Sequence, residues 1–297
     1  MAALFILSLK NKGIYSILEQ RKQKAGGPMT ATEQDKKHQE DLQRLKAFRL
    51  MDDDFFTKCF EGEPRYIELV LHIILEKPDL IVTDVHTQVF VENLLNRSVR
   101  LDVLATDHMG RKYNIEIQRA DKGAGRTRAR YNSSMLDANL LQKSTPFDKL
   151  PETYVIFITE HDVIAKGYPV YQVERYILQT GEPFDDGAHI LYVNGAYRDE
   201  SPIGRLMHDF FCTNPADMYY DVLAKRVKFF KESKEGSAIM CKMIEDMRKE
   251  SFQEGMQEGM KTAALRMLES GKFALEDIVA VSKLSLEEVK SLQMGQK

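Results

Sequence analysis

The sequence predicts an α/β domain followed by a helical appendage. Runs of β-branched residues between positions 80 and 118 are typical of strands. The short apolar run at residues 152–159 is typical of a strand buried on both faces. Helical patterns lie before and between these strands, and from Ser201 onward every pattern is helical. Strands and helices that give way to helices alone indicate one α/β unit with an added helical region.

The N-terminal segment is expected to precede this domain. Residues 1–28 are interpreted as a poorly ordered stretch and residues 32–50 as a charged, solvent-facing helix, so residues 1–50 form a predicted N-terminal extension, partly disordered and partly helical. The opening AALFILSL has no preceding basic region and no clear cleavage site, which argues against a signal peptide. No apolar run reaches the roughly 18 residues of a membrane span.

The predicted α/β domain covers residues 51–235. Its first helix lies in PRYIELVLHIILEKP, where apolar residues recur at helical spacing and a proline ends the pattern. Three strands are predicted in LIVTDVHTQVF, RSVRLDVLA and KYNIEIQR. A basic, glycine-containing loop, RADKGAGR, leads into the predicted helix TRARYNSSMLDANLLQ, and ETYVIFIT and HILYVNG are two further predicted strands.

Residues 236–297 are predicted to form a helical C-terminal region. One long helix is expected over residues 238–269 and stops at Gly271. Two short helices follow, and Ser285 with Glu288 forms a capping box at the start of the second. Both short helices are acidic where a DNA-reading helix would be basic, so packing or assembly is favoured for them.

The long helix contains the repeat QEGMQEGM, which allows two interpretations. Gly255 and Gly259 each cost the helix about 1 kcal/mol relative to alanine. Close approach of a second copy would offset this cost and predicts a homo-oligomer formed through the C-terminal helices. A solvent-exposed connecting helix is the alternative.

The composition restricts partners and compartment without identifying a function. The 297 residues are 43% hydrophobic and 29% charged, with a formal net charge of −3, so any contact with nucleic acid must come from a local basic patch. Cys59, Cys212 and Cys241 are odd in number and widely spaced, which indicates neither a disulfide framework nor a zinc site and suits the cytoplasm.

Two carboxylates lie inside adjacent predicted strands, where acidic residues are uncommon. If RLDVLA and KYNIEIQ form a hairpin centred on Met109, Leu104 faces Asn114 and Asp102 faces Glu116, and apolar and polar residues separate onto opposite faces. Directly opposed Cβ atoms are about 4.5–5.5 Å apart, so the two charges repel unless a proton or a divalent cation intervenes. Mg²⁺ suits such a pair because it binds carboxylates and keeps positions for water and phosphate. A solvent-facing polar hairpin is the alternative.

Asp102 followed by Glu116-Ile117-Gln118 resembles the Asp…Glu-X-Lys signature of PD-(D/E)XK nucleases. The nearer resemblance is to recombination-promoting nucleases, also called PD-(D/E)XK family transposases, in which glutamine commonly stands at the lysine position. DDDFFTKCFEG, VRLDVLATDHMGRKYNIEIQ and RTRARYNSSMLDANLLQKS…LPETYVIFIT carry this resemblance, which extends over residues 51–180.

The resemblance implies a restriction-endonuclease-like αβββαβ core with a mixed sheet. Asp102 and Glu116 would be catalytic acids that hold Mg²⁺, with the backbone carbonyl of Ile117 as a further ligand. Gln118 would orient the attacking water, although an amide supplies no positive charge. Glu68 on the first predicted helix is a candidate extra acid, for which a solvated helix position is the alternative.

A basic cluster after Gln118 is predicted to contact the DNA backbone, which needs positive charge but no base reading. Its members are Arg119, Lys122, Arg126, Arg128 and Arg130. A solvated loop and helix start is the alternative for them. No G-x-x-x-x-G-K-[ST], H-E-x-x-H or G-x-S-x-G motif competes with this site.

The sequence thus predicts a cytoplasmic, bacterial, Mg²⁺-dependent DNA endonuclease of the recombination-promoting or transposase type. DNA and a second copy of the chain are the expected partners, and no membrane partner is expected. The alternative is a non-catalytic interaction or oligomerisation protein on a decayed nuclease fold. Gln118 leaves room for this alternative, whereas the presence of both acids opposes it.

Overall fold

The computed structural model describes residues 31–93, 97–141 and 143–294. The predicted disordered stretch of residues 1–28 lies outside these ranges. The chain divides into two compact units between Arg44 and Leu45. Helix α1 (Ala31–Ala47) forms where a charged helix was expected, while the domain boundaries at residues 50 and 235 stay predictions.

The unit that begins at Leu45 contains a mixed sheet and a helical C-terminal region, as predicted. Its helices are α2 (Asp53–Phe60), α3 (Pro64–Leu75), α4 (Arg126–Leu140), α5 (Pro202–Phe211), α6 (Asp221–Glu232), α7 (Lys234–Ser270), α8 (Leu275–Ser282) and α9 (Leu286–Met294). Its strands are β1 (Val82–Val91), β2 (Val99–Asp107), β3 (Lys112–Gln118), β4 (Thr153–Thr159), β5 (Val170–Val173), β6 (Tyr176–Ile177), β7 (Glu182–Pro183) and β8 (Ala188–Asn194). The order from α3 to β4 confirms the αβββαβ core.

The six-stranded sheet has the order β1-β2-β3-β4-β8-β5. Strand β2 is antiparallel to both β1 and β3, whereas β4 is parallel to both β3 and β8. Strand β5 is antiparallel to β8. Strands β6 and β7 form a separate pair. We did not predict β5, β6 or β7, because runs of four, two and two residues are too short to show a period of two.

The sheet separates two apolar layers, because successive side chains of a strand point to opposite faces. Tyr154, Ile156 and Ile158 of β4 belong to the larger core, to which α2, α3, α5, α6 and the start of α7 contribute. Val155 and Phe157 belong to a smaller cluster on the face covered by α4. Every residue of β4 is buried, which confirms the interpretation of its apolar run.

The predicted hairpin of β2 and β3 forms in the predicted register. Leu104 pairs with Asn114, and Val103 pairs with Ile115. Strand β3 continues to Gln118 and stays paired with the parallel strand β4 up to that residue. The two predicted acids therefore lie where the antiparallel ladder between β2 and β3 ends.

The C-terminal helices form as predicted and carry a small core of their own. Gly271 follows α7 with a φ of 63°, a left-handed conformation that glycine adopts without strain. Ser285 and Glu288 make the reciprocal hydrogen bonds of a capping box. The end of α7 packs against α8 and α9, and the buried residues of this C-terminal cluster are Ala264, Ile278, Leu284 and Val289.

The middle of α7, residues 251–259, is exposed along its whole length and includes most of the QEGMQEGM repeat. It connects the start of the helix, where Met240 and Ile244 are part of the larger core, to the C-terminal cluster. A Cβ added at Gly255 or Gly259 would meet no atom of the described chain within 4 Å. Both interpretations of the repeat are compatible with this geometry, and self-association stays a prediction.

Replacement of Gly255 and Gly259 by alanine distinguishes these interpretations. Each alanine should stabilise α7 by about 0.8–1 kcal/mol, because alanine is the better helix former and its Cβ meets no described atom. If the helix only connects, the melting temperature should rise while the mass in light scattering stays that of wild type. Dissociation of an oligomer in the double variant, with Glu254→Ala unaffected as the control, would instead support close helix packing at the glycines.

Candidate active site

A cleft with a volume of about 1030 Å³ opens beside the start of β2 and the end of β3, bounded by the start of α2 and the first turns of α4. Its charged lining residues are Asp53, Arg97, Arg100, Asp102 and Arg128. Gln118 also lines it. Two of the three predicted catalytic residues thus reach the cleft directly, and the third, Glu116, contacts one of its arginines.

Asp102 and Glu116 are both buried, with exposures of 6% and 0%. The backbone N–H of Ile117 donates to Oδ2 of Asp102 over 3.0 Å, so β3 binds β2 here through a side chain. Oε2 of Glu116 lies 3.1 Å from Nη2 of Arg128. Oε1 of Glu116 is buried without a hydrogen-bond partner among the described residues. A buried carboxylate oxygen in this state is costly unless a cation or water satisfies it.

Burial raises the pKa of both carboxyls, and repulsion from neighbouring acids adds to the rise. Burial contributes most to the rise of the Asp102 pKa to about 8, and the charges of Glu116 and Asp53 add to it. Burial raises the pKa of Glu116 to about 7, although Arg128 opposes this rise. Without a bound cation, the pair therefore retains a proton near neutral pH.

Asp53, the first residue of α2, is a third acid of the cleft that we did not predict from the sequence. Burial raises its pKa, and its charge in turn raises the pKa of Asp102. Thr57 donates to Oδ1 of Asp53 over 3.5 Å, and Gln88 of β1 donates to Thr57 over 3.1 Å. The acid run DDDFF was a signal, but only the packing of α2 shows which of its residues faces the cleft.

Glu68, the candidate extra acid, does not lie in the cleft. Its Oε2 accepts a hydrogen bond of 2.9 Å from the backbone N–H of Val82, at the start of β1. Val82 pairs with Asp107, which lies five residues along β2 from Asp102, and five strand residues span about 16 Å. Glu68 therefore stabilises the junction of α3 with β1, and the third acid of the cleft is Asp53.

Two predicted DNA-binding residues follow β3 directly. Arg119 forms ion pairs with Asp52 at 2.9 Å and with Glu160 at 3.3 Å, while its side chain stays 57% exposed. These pairs connect the end of β3 to the residue before α2 and the residue after β4. The DNA contact predicted for Lys122 involves a side chain that is outside the described part of the structure.

The other three predicted DNA-binding residues lie on α4 and have different surroundings. Arg126 and Arg130 are exposed. Arg128 contacts Glu116, and its Nη1 also donates to Oε1 of Gln118 over 3.4 Å. Arg128 therefore bridges two of the predicted catalytic residues.

The cleft contains further polar residues that we did not assign to a site. Arg97 and Arg100 add positive charge, and Asn132 of α4 is 1% exposed with no partner for its amide among the described residues. Tyr131 also lines the cleft and donates to the carbonyl of Arg97. The predicted hairpin register was a signal for Arg100, because it brings this residue opposite Gln118. No sequence signal marked Asn132, whose position depends on the packing of α4.

The acids at the cleft offer donor atoms of the kind that a divalent cation binds, although their three carboxylates do not converge within 4.8 Å of one another in this structure. Asp53, Asp102 and Glu116 offer carboxylate oxygens, the ligands that Mg²⁺ prefers in proteins. The unpartnered Oε1 of Glu116 is one of these oxygens. A cation at this position would also remove the repulsion that raises the pKa of the pair. The role of the Ile117 carbonyl as a ligand stays a prediction.

Part of the chain matches a known protein family. Residues 61–196 match the family model described as PD-(D/E)XK nuclease family transposase. This confirms the resemblance noted in the sequence, over a segment that is somewhat less than half of the chain and contains Asp102, Glu116 and Gln118. Asp53 precedes the matched segment. No curated protein and no solved structure matches the chain.

No helix within the described ranges has the length and apolar character required to cross a membrane.

The raised pKa of Asp102 predicts a specific dependence of stability on pH in the absence of divalent cations. The folded state binds the proton more tightly than the unfolded state, whose carboxyl has a pKa near 3.8. The resulting stability is complete below this value and is lost as the pH rises towards about 8. Asp102→Asn removes the titrating group, so its unfolding free energy should decrease less over this range.

Urea unfolding at a series of pH values, in a chelator, measures this difference. We expect Asp102→Asn to exceed the wild type near pH 8 by up to about 1 kcal/mol, the size of a directly opposed like-charge pair. Asp107→Asn is the control, and its effect on the unfolding free energy should have the opposite sign. Burial acts to raise the pKa of Asp107, but hydrogen bonds from Arg111 and Tyr113 lower it. Parallel profiles for wild type and Asp102→Asn would contradict the prediction.

Proposed function

We propose that the chain is a Mg²⁺-dependent DNA endonuclease of the recombination-promoting or transposase type. The carrying observation is the pair of buried, mutually repelling carboxylates, Asp102 and Glu116, beside a cleft that is lined by arginines. The family match supports a nuclease-like or transposase-like function in general. Magnesium, DNA and hydrolysis are inferred from the chemistry of the cleft.

The acids are proposed to hold the metal in place of the proton that they share. Asp102, Glu116 and Asp53 would be the side-chain ligands, and the carbonyl of Ile117 a backbone ligand. Bound Mg²⁺ activates water and offsets the negative charge that develops on a phosphate under attack. Without the cation, the carboxylates would repel a phosphodiester from this side of the cleft.

Gln118 is proposed to orient the attacking water. Its amide offers both a hydrogen-bond donor and an acceptor, and its oxygen already contacts Arg128 at 3.4 Å. This contact fixes the rotation of the amide, so that its nitrogen presents hydrogens in a defined direction. Gln118 contributes geometry in this mechanism and no charge.

The arginines around the cleft are proposed to bind the DNA backbone. Arg97 and Arg100 line the cleft itself, and Arg126 and Arg130 are exposed on α4. Contacts with phosphates position a duplex independently of its sequence. Arg119 is a weaker candidate, because its charge is already paired with two carboxylates.

A non-catalytic interaction protein on a decayed nuclease fold is the competing proposal. Three acids beside one cleft oppose it, because their burial and repulsion cost stability that a protein without metal chemistry has no need to lose. Gln118 is the residue in its favour, since the amide lacks charge. The two proposals differ in whether the acids respond to Mg²⁺.

Asp102→Asn provides that test. Wild type should melt at a higher temperature as Mg²⁺ is added, because a ligand of the folded state stabilises it by mass action, and should nick supercoiled DNA. The variant should gain little from Mg²⁺ and should not nick. Glu68→Gln is the matched control, because Gln retains an oxygen for the Val82 N–H and lies outside the cleft; it should behave as wild type. Equal Mg²⁺ responses with retained nicking by Asp102→Asn would remove the active-site assignment.

The DNA contacts predict a change in salt dependence. In the double variant Arg126→Ala with Arg130→Ala, binding should weaken equally for all DNA sequences. The slope of log affinity against log salt should become shallower by about 0.9 for each lost phosphate contact. Fluorescence anisotropy in a chelator, which prevents cleavage, measures the slope. Lys225→Ala with Lys228→Ala removes the same charge from α6 and should leave it unchanged; an equal effect of both pairs would show only a general effect of net charge.

A further inference from the structure

We propose that Arg128 belongs to the catalytic centre and supplies the fixed positive charge that the uncharged amide of Gln118 cannot supply. This inference rests on the proposed nuclease function and deepens it. Arg128 was expected from the sequence to be one phosphate contact among several. Its position in the structure separates it from the other arginines of its helix.

Arg128 is held by three acceptors at the inner side of the cleft. Nη2 lies 3.1 Å from Oε2 of Glu116. Nη1 donates to the carbonyl of Gly123 over 3.1 Å and to Oε1 of Gln118 over 3.4 Å. The planar, forked guanidinium suits such a set of acceptors, because its donors point in fixed directions. The side chain is nevertheless 42% exposed and lines the cleft, so part of the guanidinium faces an incoming ligand.

The turn before α4 is shaped to let these groups meet. A Cβ added at Gly123 would lie 1.8 Å from Oε1 of Gln118 and 3.6 Å from Nη1 of Arg128. The first distance is a direct clash, so any other residue would displace the Gln118 amide. Glycine at this position allows the backbone, Gln118 and Arg128 to share one small space.

Neither neighbouring arginine of α4 has these contacts among the described residues. Arg126 and Arg130 are each two residues from Arg128, which corresponds to a rotation of about 200° around a helix. They therefore face away from the acids when Arg128 faces them, and both are exposed. Only Arg128 of these three arginines therefore contacts the acids, and the other two face the surface of the helix away from them.

The charges of the site are balanced only if Arg128 is counted together with a bound metal. Three carboxylates, Asp53, Asp102 and Glu116, carry three negative charges when ionised, and one divalent cation offsets two of them. Arg128 offsets the third. Glu116 contacts Arg128 through Oε2 and retains the unpartnered Oε1, so the guanidinium and a metal can share this carboxylate. Negative charge that develops on a phosphate in the cleft would then meet a positive group already in position.

Four variants of the full chain test the inference: Arg128→Ala, Arg128→Lys, Arg130→Ala, and Arg128→Ala combined with Gln118→Lys. Loss of one preorganised charge from a catalytic centre lowers turnover by about 100-fold or more. We expect Arg128→Ala to show this loss in single-turnover nicking at saturating DNA. Arg130→Ala should weaken DNA binding, and at saturating DNA it should lower turnover far less than Arg128→Ala does. Arg128→Lys should retain part of the turnover, because it keeps the charge and loses the fork.

The combined variant provides the readout that a purely structural role would not change. Lysine at position 118 restores a positive charge beside Glu116, so the combined variant should recover at least about a tenth of the wild-type turnover if charge is what Arg128 supplies. No recovery, in variants shown by melting to be folded, would overturn the inference. If Arg128→Ala fails to fold, the comparison of Arg128→Lys with wild type and the combined variant decides the question.

Two further results separate this inference from the proposed function. Equal turnover of wild type and Arg128→Ala, with weaker binding and a shallower salt slope for the variant, would make Arg128 a phosphate contact and overturn the inference alone. Absence of cleavage by the wild type with Mg²⁺ would overturn the proposed function and this inference together.

Discussion

The repulsion between the buried carboxylates of Asp102 and Glu116 is the constraint on which the site depends. Two charges at this position would separate if the backbone could move, and the sheet prevents this movement. Strand β3 is paired with β2 on one side and with the fully buried β4 on the other. Ile115 and Ile117 point into the larger core, and the strand pleat therefore directs Glu116 to the opposite face. The packing of the apolar core thus offsets the cost in stability of burying the two acids.

The face beneath α4 shows how the polar site interrupts an otherwise apolar layer. One apolar cluster there involves β4 and β8, and another involves β1 and β2. Strand β3 lies between them and presents polar residues, Asn114 and Glu116, to this face. Helix α4 follows the same division, since it places Asn132 and Arg128 near the gap and apolar residues on either side. The cleft forms where the polar residues of β3 lie opposite the polar residues of α4.

The sequence revealed those features that depend on local periodicity. Alternation along β2 and β3 determined the hairpin register, and the register brought Asp102 next to Glu116. Whether Glu68 or Asp53 reaches the cleft could not be decided from the sequence, because the rotation of a helix relative to a sheet is set by packing between distant residues. The contact of Arg128 with Glu116 could not be predicted for the same reason. The sequence does not show which of three arginines at alternate positions faces the sheet, because this depends on how α4 packs.

The exposed middle of α7 has a consequence for how the C-terminal cluster is oriented. A single helix, exposed over residues 251–259, joins that cluster to the unit that contains the sheet, so the phase of the helix relates the two. One inserted residue would turn the cluster by about 100° and advance it by about 1.5 Å. Seven inserted residues would leave it about 20° from its original direction and about 10 Å further out. The length of this segment, more than its side chains, therefore sets which way the C-terminal helices face.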